Sequence, residues 1–165
     1  LRDMARLDGL TSLYNQRSFY EELRREYSRA RRLDEELSLI YLDLDGFKAI
    51  NDTLGHKKGD EILTNVADVI RKSIRTEDIA ARYGGDEFCI ILPNTSLENA
   101  KSLVSRLIEV FEESMAYSGV TLSIGIANTN TENALDYEHL VKKADAAMYQ
   151  SKEIKGHAIN IADTE

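Results

Sequence analysis

Cysteine, histidine and long apolar runs are scarce in this sequence, and each scarcity removes a class of function. The single Cys89 can form no internal disulfide, and its place inside the run FCIILP reads as a buried strand residue, not a reactive thiol. Three histidines, His56, His139 and His157, are scattered, and none stands at ligand spacing from another or from the cysteine, which argues against zinc. No stretch has the length and purity of a membrane span or of a signal-peptide core. Also missing are the GxxxxGK phosphate cradle, the GxGxxG dinucleotide turn and a nucleophile elbow. Positive charge is in deficit as well: the formal net charge is -8, which disfavours a nucleic-acid backbone as partner. A small phosphorylated ligand remains compatible with that charge, provided a divalent cation stands between its phosphates and the acids.

What is present fits one compact domain over residues 1–165, with no repeat or low-complexity linker. Phe19, Leu23 and Tyr27 keep helical spacing between Gln16 and Leu33, amid alternating charges that suit a wet face. Leu37 to Leu44 reads as a strand ending in Asp43 and Asp45. A helix follows from Gly59 to Ser73, then two short strands, Ile79 to Tyr83 and Phe88 to Leu92, either side of a glycine pair. Ser96 or Thr95 caps a helix to about Met115, Val120 to Ala127 is a further strand, Asp136 to about Ile154 a helix, and Ala158 to Ile161 a small closing strand.

Without the opening helix, this order is strand, helix, strand, strand, helix, strand. The expectation is an α+β sandwich: a ferredoxin-like βαββαβ core with a central antiparallel sheet, surrounded by helices, plus an N-terminal helix and small C-terminal additions. In that arrangement the first and third strands lie side by side and run oppositely. Asp43 and Asp86 are then neighbours although 43 positions separate them.

The stretch RYGGDEF, Arg82 to Phe88, places Gly84 and Gly85 before Asp86 and Glu87. Two carboxylates about 4 Å apart repel by roughly 4 kcal/mol at an effective dielectric near 20, so the pair must take up a proton or a cation. Asp43 and Asp86, with Asp45 and Glu87 near, supply hard oxygen ligands suited to Mg²⁺. Asp86 and Glu87 are strand neighbours pointing to opposite faces, and so have different roles. The glycines permit a tight turn or the close approach of a ligand. Between Asp43 and Leu63, a connection bent by Gly55 and Gly59 carries Lys48, able to meet a phosphate, and Asn51 and Asp60, able to read a base edge such as that of guanine.

RYGGDEF, together with LDGLTSLYNQRSF, YLDLDGFKAINDTLGHKKGDEIL, VTLSIGIA and KKADAAMYQSK, resembles the GGDEF domain of bacterial diguanylate cyclases over nearly the whole chain. The resemblance implies condensation of two GTP into cyclic di-GMP with release of two pyrophosphates, by two domains meeting as a homodimer with one GTP each. It implies Mg²⁺, with Mn²⁺ as an alternative, on Asp43, Asp86 and the carbonyl of Leu44, and Glu87 as the second catalytic carboxylate. Phe47, Lys48, Asn51, Asp60, Gly84, Gly85 and Lys152 would bind substrate, with Asn51 and Asp60 reading guanine. Arg75 and Asp78 match the RxxD motif of an inhibitory product site, nine positions before Gly84.

The family's closing pattern, Lys, two variable residues, then Gly-Arg-Asn, is altered here. Lys152 is kept, glycine comes one place late at Gly156, and no arginine follows, which leaves Lys155 or His157 as substitutes for the missing phosphate clamp. The alternative reading is therefore a GTP or cyclic di-GMP receptor with little or no turnover. By the same resemblance the chain is a cytoplasmic domain of a longer protein, whose upstream sensor or membrane anchor lies outside these residues.

Overall fold

The computed structural model describes residues 5–130, 136–154 and 156–162. The helix expected first is α1, Gln16–Leu33, opened by the Asn15 side chain, which accepts from the Ser18 N–H at 2.9 Å. It ends at Asp34, in left-handed backbone at φ 55°, after Arg31 and Arg32, whose charges complement the helix dipole. Strand β1, Leu37–Asp45, is buried over eight of its nine residues. Its alternate side chains serve two cores: Leu37, Leu39 and Tyr41 cluster with Phe19 and Leu23 of α1, while Ile40, Leu42 and Leu44 cluster on the other face with Ile62, Val66 and Val104. That two-sided burial is why the strand reads as one apolar run.

Next come α2, Phe47–Leu54, α3, His56–Ser73, and the hairpin strands β2, Ile79–Arg82, and β3, Glu87–Pro93. Ser96 then caps α4, Leu97–Met115, accepting from the Asn99 N–H at 3.1 Å, and a short 3-10 turn leads to β4, Thr121–Asn128. Asp136 caps α5, Tyr137–Ser151, before β5, Ala158–Ile161. The sheet order is β2-β3-β1-β4-β5, with β1 antiparallel to both β3 and β4. β5 joins β4 in parallel, so the α+β sheet is mixed. The outer edge of β2 is covered by the opening segment, where Tyr14 exchanges backbone bonds with Ala80 and Arg82.

Three boundaries differ from the sequence reading. The segment after Asp45 is not a bent connection: it folds as α2, interrupted only at Gly55, whose φ of 88° ends one helix and starts the next. Helix α3 consequently begins at His56, and Gly59 lies inside it. At the other end α5 stops at Ser151, and the next three residues continue as tighter turns, the N–H groups of Lys152, Glu153 and Ile154 donating to carbonyls three residues back. Among the described residues, no helix is long and apolar enough to cross a membrane.

Candidate active site

β1 and β3 pair so that Asp43 lies opposite Glu87, and the Leu44 N–H donates to the Asp86 carbonyl at 3.2 Å. The juxtaposition expected from topology is therefore present. Asp43 is 8% exposed, and its Oδ1 is buried without a hydrogen-bond partner. Burial, and then the charge of Asp43, push the Asp86 carboxyl above the ordinary range. The Glu87 carboxyl is also raised, by burial first; the Tyr41 hydroxyl, donating at 3.2 Å, works against that rise, while Asp43, Asp145 and Asp86 add to it.

The hairpin that presents these acids is tied from behind. Arg82 donates to the Gly85 carbonyl at 2.8 and 3.2 Å and pairs with Asp8 at 3.2 Å, while Asp8 also accepts from the Thr11 N–H and hydroxyl. The opening LDGLT segment thus braces the turn. Neither Gly84 nor Gly85 adopts a left-handed conformation. A Cβ on Gly84 would stand 2.7 Å from Glu87 Oε1, so a side chain there would push the end of the Glu87 side chain aside.

Asp43, Asp45, Asp86, Lys48, Phe47 and Lys152 border one cleft of about 550 Å³, a size usual for small-ligand sites. Phe47 is mostly core, at 7% exposed, with its ring tip against Gly59. Lys48 and Asp60 are exposed, on α2 and α3. Asn51 Oδ1 is buried without a partner, and a Cβ on Gly59 would stand 1.9 Å from it. Gly59 therefore brings α2 and α3 together, which corrects its reading as a bend. A larger hollow of about 760 Å³ lies along α1 beside Tyr137 and borders on none of Asp43, Asp86 and Glu87.

Lys152, just beyond α5, places its ammonium 2.6 Å from Asp43 Oδ2 and 3.2 Å from Asp45 Oδ1. Burial works to lower its pKa, but the bonds to Asp43 and Asp45 outweigh it and hold the lysine above its ordinary value. Asp45 also accepts from Thr121 at 3.0 Å and from Ser123 at 2.8 Å. The sequence reading missed these two hydroxyls, although the alternation in VTLS sets both on one strand face. Of the two substitutes for the absent arginine, Lys155 lies outside the described residues. His157 is not free: its Nδ1 accepts from the Leu122 N–H at 3.0 Å, its Nε2 bonds Glu112, and its ring stands edge-on to Phe111. It anchors the approach to β5.

Among the described residues, no three Asp, Glu, His or Cys side chains are grouped as a metal site. Two carboxylates and a backbone carbonyl nonetheless suit Mg²⁺, which keeps waters and takes phosphate oxygens as further ligands. The orphaned Asp43 Oδ1, and a lysine already drawn to the other oxygen, show the local demand for positive charge.

Arg75 and Asp78 lie apart from this cleft, between α3 and β2. The Asp78 side chain is fully buried and both its oxygens bind Arg75, at 2.8 Å to the N–H and at 3.1 Å to Nη2. Arg75 Nη2 also donates to the Pro93 carbonyl and to the Thr95 hydroxyl at 2.7 Å. Arg75 Nη1 also pairs with Glu77 at 3.4 Å, so the half-exposed guanidinium is held in one orientation.

A family model described as diguanylate cyclase, GGDEF domain, matches residues 5–158. The chain is 39% identical over 156 residues to the cyclic di-GMP phosphodiesterase NbdA of Pseudomonas aeruginosa, covering 92% of this chain and 20% of that protein. With the diguanylate cyclase DgcS of Shewanella oneidensis it shares 36% over 163 residues, covering 98% and 54%. Among solved structures, the isolated GGDEF domain of TpbB (YfiN) from Pseudomonas aeruginosa superposes with a TM-score of 0.88 at 35% identity, covering 96% of this chain and 95% of that one. The GGDEF domain of DgcB from Caulobacter crescentus, in complex with c-di-GMP, gives 0.84 at 32%, covering 98% of each. The chain thus spans between a fifth and about half of these two curated relatives' lengths.

Proposed function

The chain belongs to the diguanylate cyclase, GGDEF domain family, and we propose that it condenses two GTP into cyclic di-GMP. The observation that carries this reading is the meeting of Asp43 and Asp86 across β1 and β3, in a cleft also bordered by Lys48 and Lys152. The 3′-hydroxyl oxygen of one GTP forms a bond to the α-phosphorus of the other, the bond to the pyrophosphate oxygen breaks, and pyrophosphate leaves. A second identical step closes the ring. One cleft offers a single nucleotide site, so two copies of the chain face each other, each bringing one GTP.

Asp43, Asp86 and the Leu44 carbonyl would hold Mg²⁺, or Mn²⁺, whose charge neutralises the triphosphate and polarises the α-phosphorus. Glu87, its carboxyl raised by burial, is suited to accept the proton of the attacking hydroxyl. Lys48 and Lys152 pair with phosphate oxygens, and Asn51 with Asp60 reads the guanine edge. NbdA is named for phosphodiesterase action, but this chain corresponds to a fifth of it. Incubation with GTP and Mg²⁺, after removal of any bound cyclic di-GMP, should give cyclic di-GMP and pyrophosphate by chromatography. GTP bound without turnover, at high protein concentration, would establish the receptor reading instead.

Two consequences can be measured on the same assay. In Gly59→Ala the new methyl displaces the Asn51 side chain, 1.9 Å away, while the helix itself tolerates alanine. The KM for GTP should rise roughly tenfold, the worth of one good hydrogen bond, with kcat little changed. An unaltered KM would remove Asn51 from guanine recognition. At the second site, Arg75 is held ready for a phosphate or a guanine face. Arg75→Ala should raise the cyclic di-GMP concentration that halves the rate by about ten- to a hundredfold, as expected for a lost charge-assisted bond. Inhibition at the wild-type concentration would place the product elsewhere.

A further inference from the structure

Lys152 makes its shortest polar contact with a carboxylate assigned above to the metal, and its second with one that is not. Asp43 Oδ2 stands 2.6 Å from the ammonium and Asp45 Oδ1 3.2 Å. Asp45 lies two residues beyond Asp43 on β1, hence on the same face, and is fixed from β4 by the Thr121 and Ser123 hydroxyls at 3.0 and 2.8 Å. Among the described residues no comparable pair of hydroxyls holds Asp43, whose Oδ1 is without a partner. One carboxylate is therefore built to stay with the lysine and the other to be given up.

We propose that the Lys152 ammonium serves as an internal stand-in for the divalent cation on Asp43, and that Asp45 is a positioning residue which retains Lys152 when the cation takes its place. The inference rests on the metal-binding role proposed above for Asp43. Held at Asp45 alone, the ammonium stays at the cleft, where the phosphates arriving with the cation need a partner. The two oxygens of one carboxylate are so close that a divalent ion on Oδ1 repels an ammonium on Oδ2 strongly, which favours the exchange. The arrangement offsets part of the negative charge of Asp43 and Asp45 before substrate arrives, and ties release of the phosphate-binding lysine to arrival of the cation. With no arginine after Lys152 in this chain, control of this lysine carries more weight.

The test is a Mn²⁺ titration of the nucleotide-free chain, followed by electron paramagnetic resonance, on the wild type, Lys152→Met, Asp45→Asn and the double variant, with Asp43→Asn marking the site. Asn can still accept from Thr121 and Ser123, so the fold is kept, and thermal unfolding checks this. Lys152→Met should tighten Mn²⁺ binding by about tenfold, and Asp45→Asn should weaken it several-fold, because the displaced lysine loses its second partner. In the Lys152→Met background, Asp45→Asn should have no further effect. The same weakening in both backgrounds would mean that Asp45 acts by charge alone, and would overturn the tether. No tightening in Lys152→Met would overturn the stand-in. Mn²⁺ binding insensitive to Asp43→Asn in every background would overturn both this inference and the metal assignment, whereas failure of the cycle with cyclic product still formed from GTP would remove this inference alone.

Discussion

Asp86→Ala should leave a folded, nucleotide-binding chain that forms no detectable cyclic di-GMP, a loss of at least about 10³-fold, or roughly 4 kcal/mol of transition-state stabilisation. The size follows from the step: little covalent work falls to the protein, so charge neutralisation at the transferring phosphorus supplies most of the assistance. A neutral methyl at position 86 would leave Asp43 as the one carboxylate, beside the Leu44 carbonyl, to hold a divalent ion. Stability should move the other way. The Asp86 carboxyl is raised above its unfolded value by burial and by Asp43. Stability from such a group is present below the ordinary Asp range and lost as pH rises through the raised value, so at neutral pH the wild type carries a penalty that alanine lacks. The backbone bond from the Leu44 N–H to the residue 86 carbonyl is kept. Thermal unfolding without metal should thus show the variant at least as stable as the wild type, and added Mg²⁺ should raise the melting temperature of the wild type only. Product formed by the variant at a tenth of the normal rate would take Asp86 out of the metal site.

The meeting of Asp43 and Asp86 was legible in the sequence because it follows from strand order alone. Two apolar runs, each ending or starting in acid, need only be central neighbours running oppositely for the carboxylates to converge. Features that depend on which backbones touch were not legible. Helix α2 escaped because FKAINDTL is short and lies between two glycines: Phe47, Ile50 and Leu54 keep helical spacing, but two turns flanked by glycine read as easily as a bent connection. Gly84 could be read as a turn residue, yet its nearness to the end of the Glu87 side chain is set by how the hairpin folds. His157 was weighed as a phosphate partner by its place in an altered motif. The bond its ring nitrogen accepts from the Leu122 N–H belongs to tertiary structure, and no local spacing announces it. The clamp on Asp45 falls between: Thr121 and Ser123 were visible as one face of a strand, but their target was set by the pairing of Thr121 with Asp45 in the sheet.

Gly125 is where this kind of contact has its largest consequence for stability. Within the strand VTLSIGIA it lies opposite Tyr41 of β1 and Asn160 of β5, and its φ is not left-handed, so alanine could adopt the backbone. What alanine lacks is space: its Cβ would stand 2.1 Å from the Ala144 carbonyl oxygen and 2.3 Å from the Met148 nitrogen. Both atoms are helix backbone, which cannot turn aside as a side chain can. Helix α5 presents Ala144 and Ala147 on this face and so rests its main chain on the sheet. Gly125→Ala must lift α5 or bend β4, at a cost of about 3 kcal/mol, toward the upper end for overpacked cores. For a chain of this length that lowers the melting temperature by roughly 6–12 °C. Gly85→Ala, where the added methyl meets nothing within 4 Å, should unfold with the wild type. Because α5 ends immediately before Lys152, the Gly125 variant should also lose phosphate affinity before it unfolds, seen as a raised KM for GTP at temperatures where circular dichroism is still native. A melting temperature within a degree of the wild type would mean that α5 is free to slide on the sheet, and that the placement of Lys152 over Asp43 is set by the cleft and not by the helix.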